Sequence, residues 1–177
     1  TNFDVEVRVS NSQGSQIRLA RRTLTGTVMI DSAMPDKSGT YKLKGFASQP
    51  DFYILYTHPN RYINLIIRPG DNFRVLTSHE SFDVNYLVEG SKDSRLIQKM
   101  VTRQTRTLEK ITEISTLYEN SMGKKDFEKI RAGIDSTYDR VFEEHKQFSI
   151  EMIRENPGSL ASLMALYQQL GRNAPVF

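Results

Sequence analysis

The sequence predicts an α+β fold: an N-terminal antiparallel β-sandwich or open barrel, then a long antiparallel helical hairpin and a short third helix. Three observations predict it. Over residues 1–90 apolar and polar residues alternate with period two, the mark of strands with one buried face. After Gly90 the apolar residues recur with a helical period. Turn chemistry separates seven or eight short strand-like runs with no helical stretch between them, which disfavours parallel βαβ units.

The first strand is Phe3–Val9, where apolar residues take every second position, and the next is Ile17–Leu19. Asn11–Ser15 between them is a turn cluster. Thr27–Ala33 follows, and Asp36–Gly39 leads into Thr40–Phe46, which reads as a hairpin with Gly39 at a positive φ. Pro50-Asp51 interrupts the pattern before Phe52–Thr57. His58–Arg61 is a turn, and Tyr62–Ile67 is a more fully buried strand. Pro69-Gly70-Asp71 suits a tight turn, with Pro presetting φ and Gly taking the positive φ. Asn72–Leu76 and Val84–Val88 complete the strands.

Ser91 and Asp93 are N-cap candidates for a helix whose stripe runs from Leu96 to Tyr118 and ends near Gly123-Lys124-Lys125. A second stripe runs from Phe127 to Ile153 and stops at Asn156-Pro157-Gly158, because Pro disfavours helical geometry in the residue before it. Ser159 caps a third helix whose apolar residues are Leu160, Leu163, Met164, Leu166, Tyr167 and Leu170, with Gly171 at C′. Two long helices joined by a short loop pack antiparallel. The division this implies is a β-subdomain at 1–90 and a helical subdomain at 91–177.

Composition excludes several classes. The chain has 177 residues, 38% hydrophobic and 25% charged, as in ordinary globular domains. No run reaches the roughly 18 apolar residues of a membrane span. With no cysteine, the chain carries no disulfide, thiolate zinc site, iron–sulfur cluster or thiol redox chemistry of its own. The net charge of +3 is spread evenly, with 10 Lys/Arg against 9 Asp/Glu in residues 1–90 and 14 against 12 beyond. A nucleic-acid binder concentrates its basic charge, so no nucleic-acid partner is expected. The densest basic spot, Arg18, Arg21 and Arg22, reads as a solvated strand face, with a phosphate or anionic-lipid patch as the sharper alternative.

Reaction signatures are absent. The histidines, His58, His79 and His145, lie more than four residues apart, and His145 falls on an apolar helix stripe as a satisfied, semi-buried side chain. Glu143 and Glu144 diverge by about 100° on a helix. Asp135 and Asp139 share a face but have Arg131 and Arg140 beside them. Neither a nucleophile elbow nor a phosphate-cradling glycine motif occurs. No catalytic, cofactor-binding or metal-ligating residue is assigned, and no cofactor is expected. The aromatic residues Tyr41, Phe46, Phe52, Tyr53, Tyr56, Tyr62 and Phe73 read as sheet core and cross-strand pairs, or as a surface for a peptide, lipid or glycan. These strand aromatics and the face of the third helix are the two surfaces to probe.

The order of several phrases resembles a known family. They are Val28–Ala33, the Gly39–Gly45 segment, Arg68-Pro69-Gly70-Asp71, the Gly90–Ser94 helix entry, Glu155–Ser162 and Leu166–Gly171. Together they resemble the N-terminal domain of unknown function that precedes the thioredoxin-like domain of TlpA/ResA-like envelope lipoproteins, a family of thiol–disulfide oxidoreductases in certain Gram-negative bacteria. That family's redox chemistry resides in a Cys-x-x-Cys on the following domain, so the resemblance carries no catalytic residue onto this chain. It implies a C-terminal thioredoxin-like domain as partner, possible protein or peptide substrates, and periplasmic or outer-membrane placement. Membrane attachment would come only through an upstream lipid anchor. The expected function is therefore a redox-inactive positioning or partner-binding module; the alternative is a stand-alone envelope binding protein for a peptide, lipid or glycan.

Overall fold

A computed structural model describes residues 1–171 and 174–177. The chain divides into two compact units, Thr1–Gln98 and Lys99–Phe177, so the first unit includes the opening turns of the first helix.

The first unit is built from β1 (Asn2–Ser10), β2 (Ile17–Thr23), β3 (Gly26–Ala33), β4 (Thr40–Phe46), β5 (Asp51–His58), β6 (Arg61–Ile67), β7 (Asn72–Ser78) and β8 (Leu87–Glu89). They form two four-stranded sheets, β4-β1-β7-β8 and β3-β2-β5-β6. Among the described residues pairing is antiparallel except for β1 with β7, which run parallel. The core lies between the sheets and takes every second residue of β1 (Phe3, Val5, Val7, Val9) together with Leu19, Leu43, Leu55, Ile63 and Val75. Phe3 of one sheet meets Tyr53 of the other edge-on, with ring centroids 5.6 Å apart, an arrangement that adds to the area both bury.

Two expectations about the strands need correction. Asp36–Gly39 does not close a hairpin: β3 and β4 lie in different sheets, and the segment carries the chain from one to the other. The local turn is nonetheless real. The Asp36 carboxylate accepts from the backbone N–H groups of Ser38 and Thr40, and Gly39 has φ 77° with a would-be Cβ only 2.8 Å from the Val9 carbonyl oxygen. The two-residue hairpin is instead β2–β3, closed by the Thr23–Gly26 pair. Of the expected strand Val84–Val88, only Leu87 and Val88 are strand residues; Val84 and Asn85 lie in a turn whose N–H groups bond the Ser81 carbonyl. The Pro69–Asp71 turn forms as expected, with Gly70 at φ 83° and Asp71 N–H bonded to the Arg68 carbonyl.

Helix α1 spans Lys92–Ser121, α2 Phe127–Glu155 and α3 Leu160–Leu166. Ser91 caps α1, its Oγ accepting from Ser94 N–H at 3.2 Å. Asp93 sits in the first turn, where its carboxylate suits the helix dipole and receives Arg68. In the second unit α1 and α2 run antiparallel, since Phe148 lies beneath Lys99 and Arg103 while Phe127 meets Tyr118. Ser159 caps α3, accepting from Ala161 N–H at 3.1 Å. Much of the apolar side of α3 lies open. Ala161, Ser162 and Ala165 are its buried residues, while Leu163, Leu166 and Tyr167 are exposed. Gly171 does not end the helix, which stops at Leu166. It belongs to the segment closed by the Gln169–Pro175 bridge.

Candidate functional site

The two sheets present opposite outer faces. On the β4-β1-β7-β8 sheet, alternation turns Asp4, Glu6 and Arg8 outward, and they are neutralised by their neighbours. Glu6 receives Arg8 and Arg74 at 3.1 Å each, Arg74 lies 3.7 Å from Glu89, and Lys44 lies 3.8 Å from Asp4. A lattice of exposed pairs of this kind holds charge in water and adds little stability.

The outer face of β3-β2-β5-β6 is different. Its register lays down rows across the sheet: Ser32–Arg18–Tyr56–Tyr62, then Met29–Ala20–Ile54–Asn64, with Thr27 opposite Arg22 beyond. Leu19, Leu55 and Ile63 point inward to the core, so these alternate residues point outward. Arg22 reaches across β5 to β6, donating to Asn64 Oδ1 at 3.3 Å and placing its guanidinium 5.3 Å above the Tyr62 ring. Arg18 donates to Gln16 Oε1 at 3.2 Å. Both cations therefore rest on neutral amide oxygens, and among the described residues neither has a carboxylate within 4.0 Å. Arg21, which points to the other side of the strand, has Asp51 at 3.8 Å.

The edges of this sheet also differ. At β6 the Ser94 hydroxyl stands in for a further strand: it accepts from Ile66 N–H at 3.0 Å and donates to the Ile66 carbonyl at 2.9 Å. At the opposite edge the pairing of β2 with β5 ends at Arg21, while β2 and β3 continue to Thr23–Gly26. A two-stranded ribbon results, exposed at every residue from Arg21 to Met29. Leu24 at its tip is fully exposed, and Val28 and Met29 are about half exposed (46% and 51%). Natural edge strands are usually blunted by charge, Pro or cover. This ribbon lacks such protection over Gly26–Met29.

The helical unit holds a buried polar chain. His145 is 0% exposed. Its Nδ1 lies 2.8 Å from Thr107 Oγ1 and its Nε2 2.8 Å from Gln168 Oε1. Gln168 Nε2 donates to the Ala165 carbonyl and to Ser149 Oγ, and Ser149 donates to the His145 carbonyl. A carbonyl can only accept, so the amide orientation of Gln168 is fixed and His145 Nε2 is the donor. Nδ1 then accepts from Thr107. Burial, with Arg103 nearby, holds the imidazole below its usual pKa against the opposing pull of Gln168. Every valence of this imidazole is occupied by the protein.

The sequence reading placed His145 on an apolar stripe as a satisfied side chain, and it is buried and bonded on both sides. His58 is the exposed last residue of β5, not part of the turn after it, and His79 follows the end of β7. Of the strand aromatics, Tyr41, Tyr53 and Phe73 are core, whereas Phe46 and Tyr62 are exposed and Phe52 and Tyr56 half-buried. Arg131 pairs with Asp135 at 3.9 Å. Glu143 accepts from Gln147. Sequence reasoning did not separate the three arginines of β2; alternation puts Arg18 and Arg22 on one face and Arg21 on the other, and the register shows which residues of β5 and β6 join them.

The fold and this face define a β-sandwich domain followed by a helical unit. A family model described as "Domain of unknown function (DUF4369)" matches residues 3–97, more than half of the chain, and the chain belongs to that family. The match falls within the β-sandwich unit. No curated protein matches the chain.

Proposed function

We propose that this chain is a redox-inactive accessory module that positions, or recruits partners for, a thioredoxin-like thiol–disulfide oxidoreductase domain C-terminal to it in the periplasm or outer membrane. The order of family-like phrases along the whole chain supports the link to that parent. The observation that carries the non-catalytic part is how its buried ionisable groups are used. Asp93 receives Arg68, and His145 is held by Thr107 and Gln168. Substrate chemistry needs such a group with a free valence facing a cleft. The cleft of about 640 Å³ in the helical unit is bordered by charges of both signs, Arg103, Arg140, Glu143 and Glu151.

The test is kinetic. A thioredoxin-like domain of the parent type is assayed on an oxidised protein substrate with and without this chain, both in trans and fused. The expected result is a change in KM with kcat preserved, and no reductase activity from the chain alone. Identical kinetics in every format would overturn the reading. A second reading, a stand-alone envelope binding protein for a peptide, lipid or glycan, draws support from the uncovered arginine–aromatic face. It predicts ligand binding with no effect on any thioredoxin-like domain.

A further inference from the structure

We propose that the outer face of the β3-β2-β5-β6 sheet, with the projecting β2–β3 ribbon beside it, binds an extended acidic segment of a protein partner. The inference rests on the partner-binding reading above and gives that partner its chemistry.

Three features define the occupant. First, Arg18 and Arg22 are the charged groups of this face, and each bonds only a neutral amide oxygen. A carboxylate is the better acceptor for a guanidinium and offers bidentate geometry. Their backbone positions are four residues apart along β2, about 13 Å at ~3.3 Å per residue. That is the spacing of residues i and i+4 in another extended chain. Second, the row between them, Met29–Ala20–Ile54–Asn64, is apolar over its first three residues, with Met29 half exposed, Ile54 half-buried and Ala20 buried. A partner side chain facing that row is small and apolar. The pattern is acidic, any, apolar, any, acidic. Third, the ribbon edge over Gly26–Met29 offers backbone donors and acceptors with no strand beside them, next to the exposed Val28 and Met29. Another peptide backbone fits such an edge by strand addition.

The same features weigh against a lipid surface. Membrane-binding aromatics project into the interface. Here Tyr62 lies beneath the Arg22 guanidinium as a floor, and Tyr56 is half-buried.

The test uses the whole chain and a blocked peptide repeating Glu-Ser-Val-Ser-Glu over about ten residues, long enough to span both arginines. Its lysine counterpart and vesicles containing phosphatidylglycerol serve as comparisons. Saturable binding of the acidic peptide is expected, weakening with salt, with amide-shift changes centred on Arg18, Arg22, Tyr62 and Met29. The double variant Arg18→Gln/Arg22→Gln should bind about ten-fold or more weakly, the scale of losing charge-assisted hydrogen bonds. Arg8→Gln on the ion-paired face should leave binding unchanged. The shift map comes from the unaltered chain, so it holds even where a variant folds poorly. Absence of saturable binding, shifts centred elsewhere, or equal loss in Arg8→Gln would each overturn the inference. So would vesicle binding, sensitive to the same double variant, without peptide binding; that outcome assigns the face to a membrane. If the peptide fails while thioredoxin-like kinetics still respond to the chain, this inference falls and the accessory reading stands. The reverse result removes the accessory reading and leaves a peptide-binding protein.

Discussion

The buried His145 makes the stability of the helical unit depend on pH in a definite direction. In the unfolded chain an imidazole takes up a proton near pH 6.5. In the folded chain burial, with Arg103 nearby, lowers that pKa despite the opposing Gln168 bond. Below pH 6.5 the unfolded state therefore binds more protons than the folded state, and stability falls as pH falls until the folded pKa is reached. One proton gives a slope of up to about 1.4 kcal/mol per pH unit. Between pH 7.5 and 5.5 most carboxylates remain ionised, and comparison with His145→Asn isolates this histidine from the other two. The geometry supplies a reason for the shift. A second proton, on Nδ1, would require Thr107 Oγ1 to turn from donor to acceptor inside a site where Gln168 and Ser149 are already committed. The assay is urea unfolding followed by helical circular dichroism at several pH values. The midpoint should fall on acidification, and His145→Asn should flatten the response while lowering stability at pH 7.5. A midpoint that stays level or rises from pH 7.5 to 5.5 would refute the reasoning.

Other outcomes follow from single contacts. Thr107→Val removes the hydroxyl that satisfies Nδ1 and should cost about 1–3 kcal/mol by leaving a buried acceptor bare, read by the same unfolding assay. Ser94→Ala strips both the acceptor and the donor that close the β6 edge at Ile66; a similar loss is expected, with faster amide exchange at Ile66. Gly45→Ala drives a Cβ into the Phe3 ring at Cζ and to 2.7 Å from Ile30 Cγ2. The core must shift to admit it, so the variant should lose about 1–3 kcal/mol, measured by chemical denaturation. Leu163→Ala on the exposed side of α3 should change stability by less than about 0.5 kcal/mol.

Much of the fold was legible because period is a local property. The alternation in Phe3–Val9 and the stripe from Leu96 to Tyr118 report directly which side of each element is dry. Sheet membership is not local. The loop Asp36–Gly39 has the turn chemistry of a hairpin, and its hydrogen bonds form, yet β4 pairs with β1 and β3 with β2. The parallel pairing of β1 with β7 likewise joins residues some seventy positions apart, which no window of sequence contains. The third helix was legible as an element, but which of its sides is dry was not. Its leucines follow a helical stripe, but the buried residues are the small ones, Ala161, Ser162 and Ala165, and Ser162 donates to the Asn156 carbonyl at the end of α2. The arginine–aromatic face was half legible: Arg18, Arg22, Tyr56 and Tyr62 stood out by composition. Their assembly needed the β2–β5–β6 register and the contrast with the self-neutralised sheet opposite.

The most direct test of the accessory role is to read the native gene through both ends of this segment. The account predicts a thioredoxin-like coding pattern with a Cys-x-x-Cys downstream of Phe177 and a lipid-anchor cysteine upstream of Thr1. A stop codon directly after Phe177, with no thioredoxin-like sequence, would contradict it.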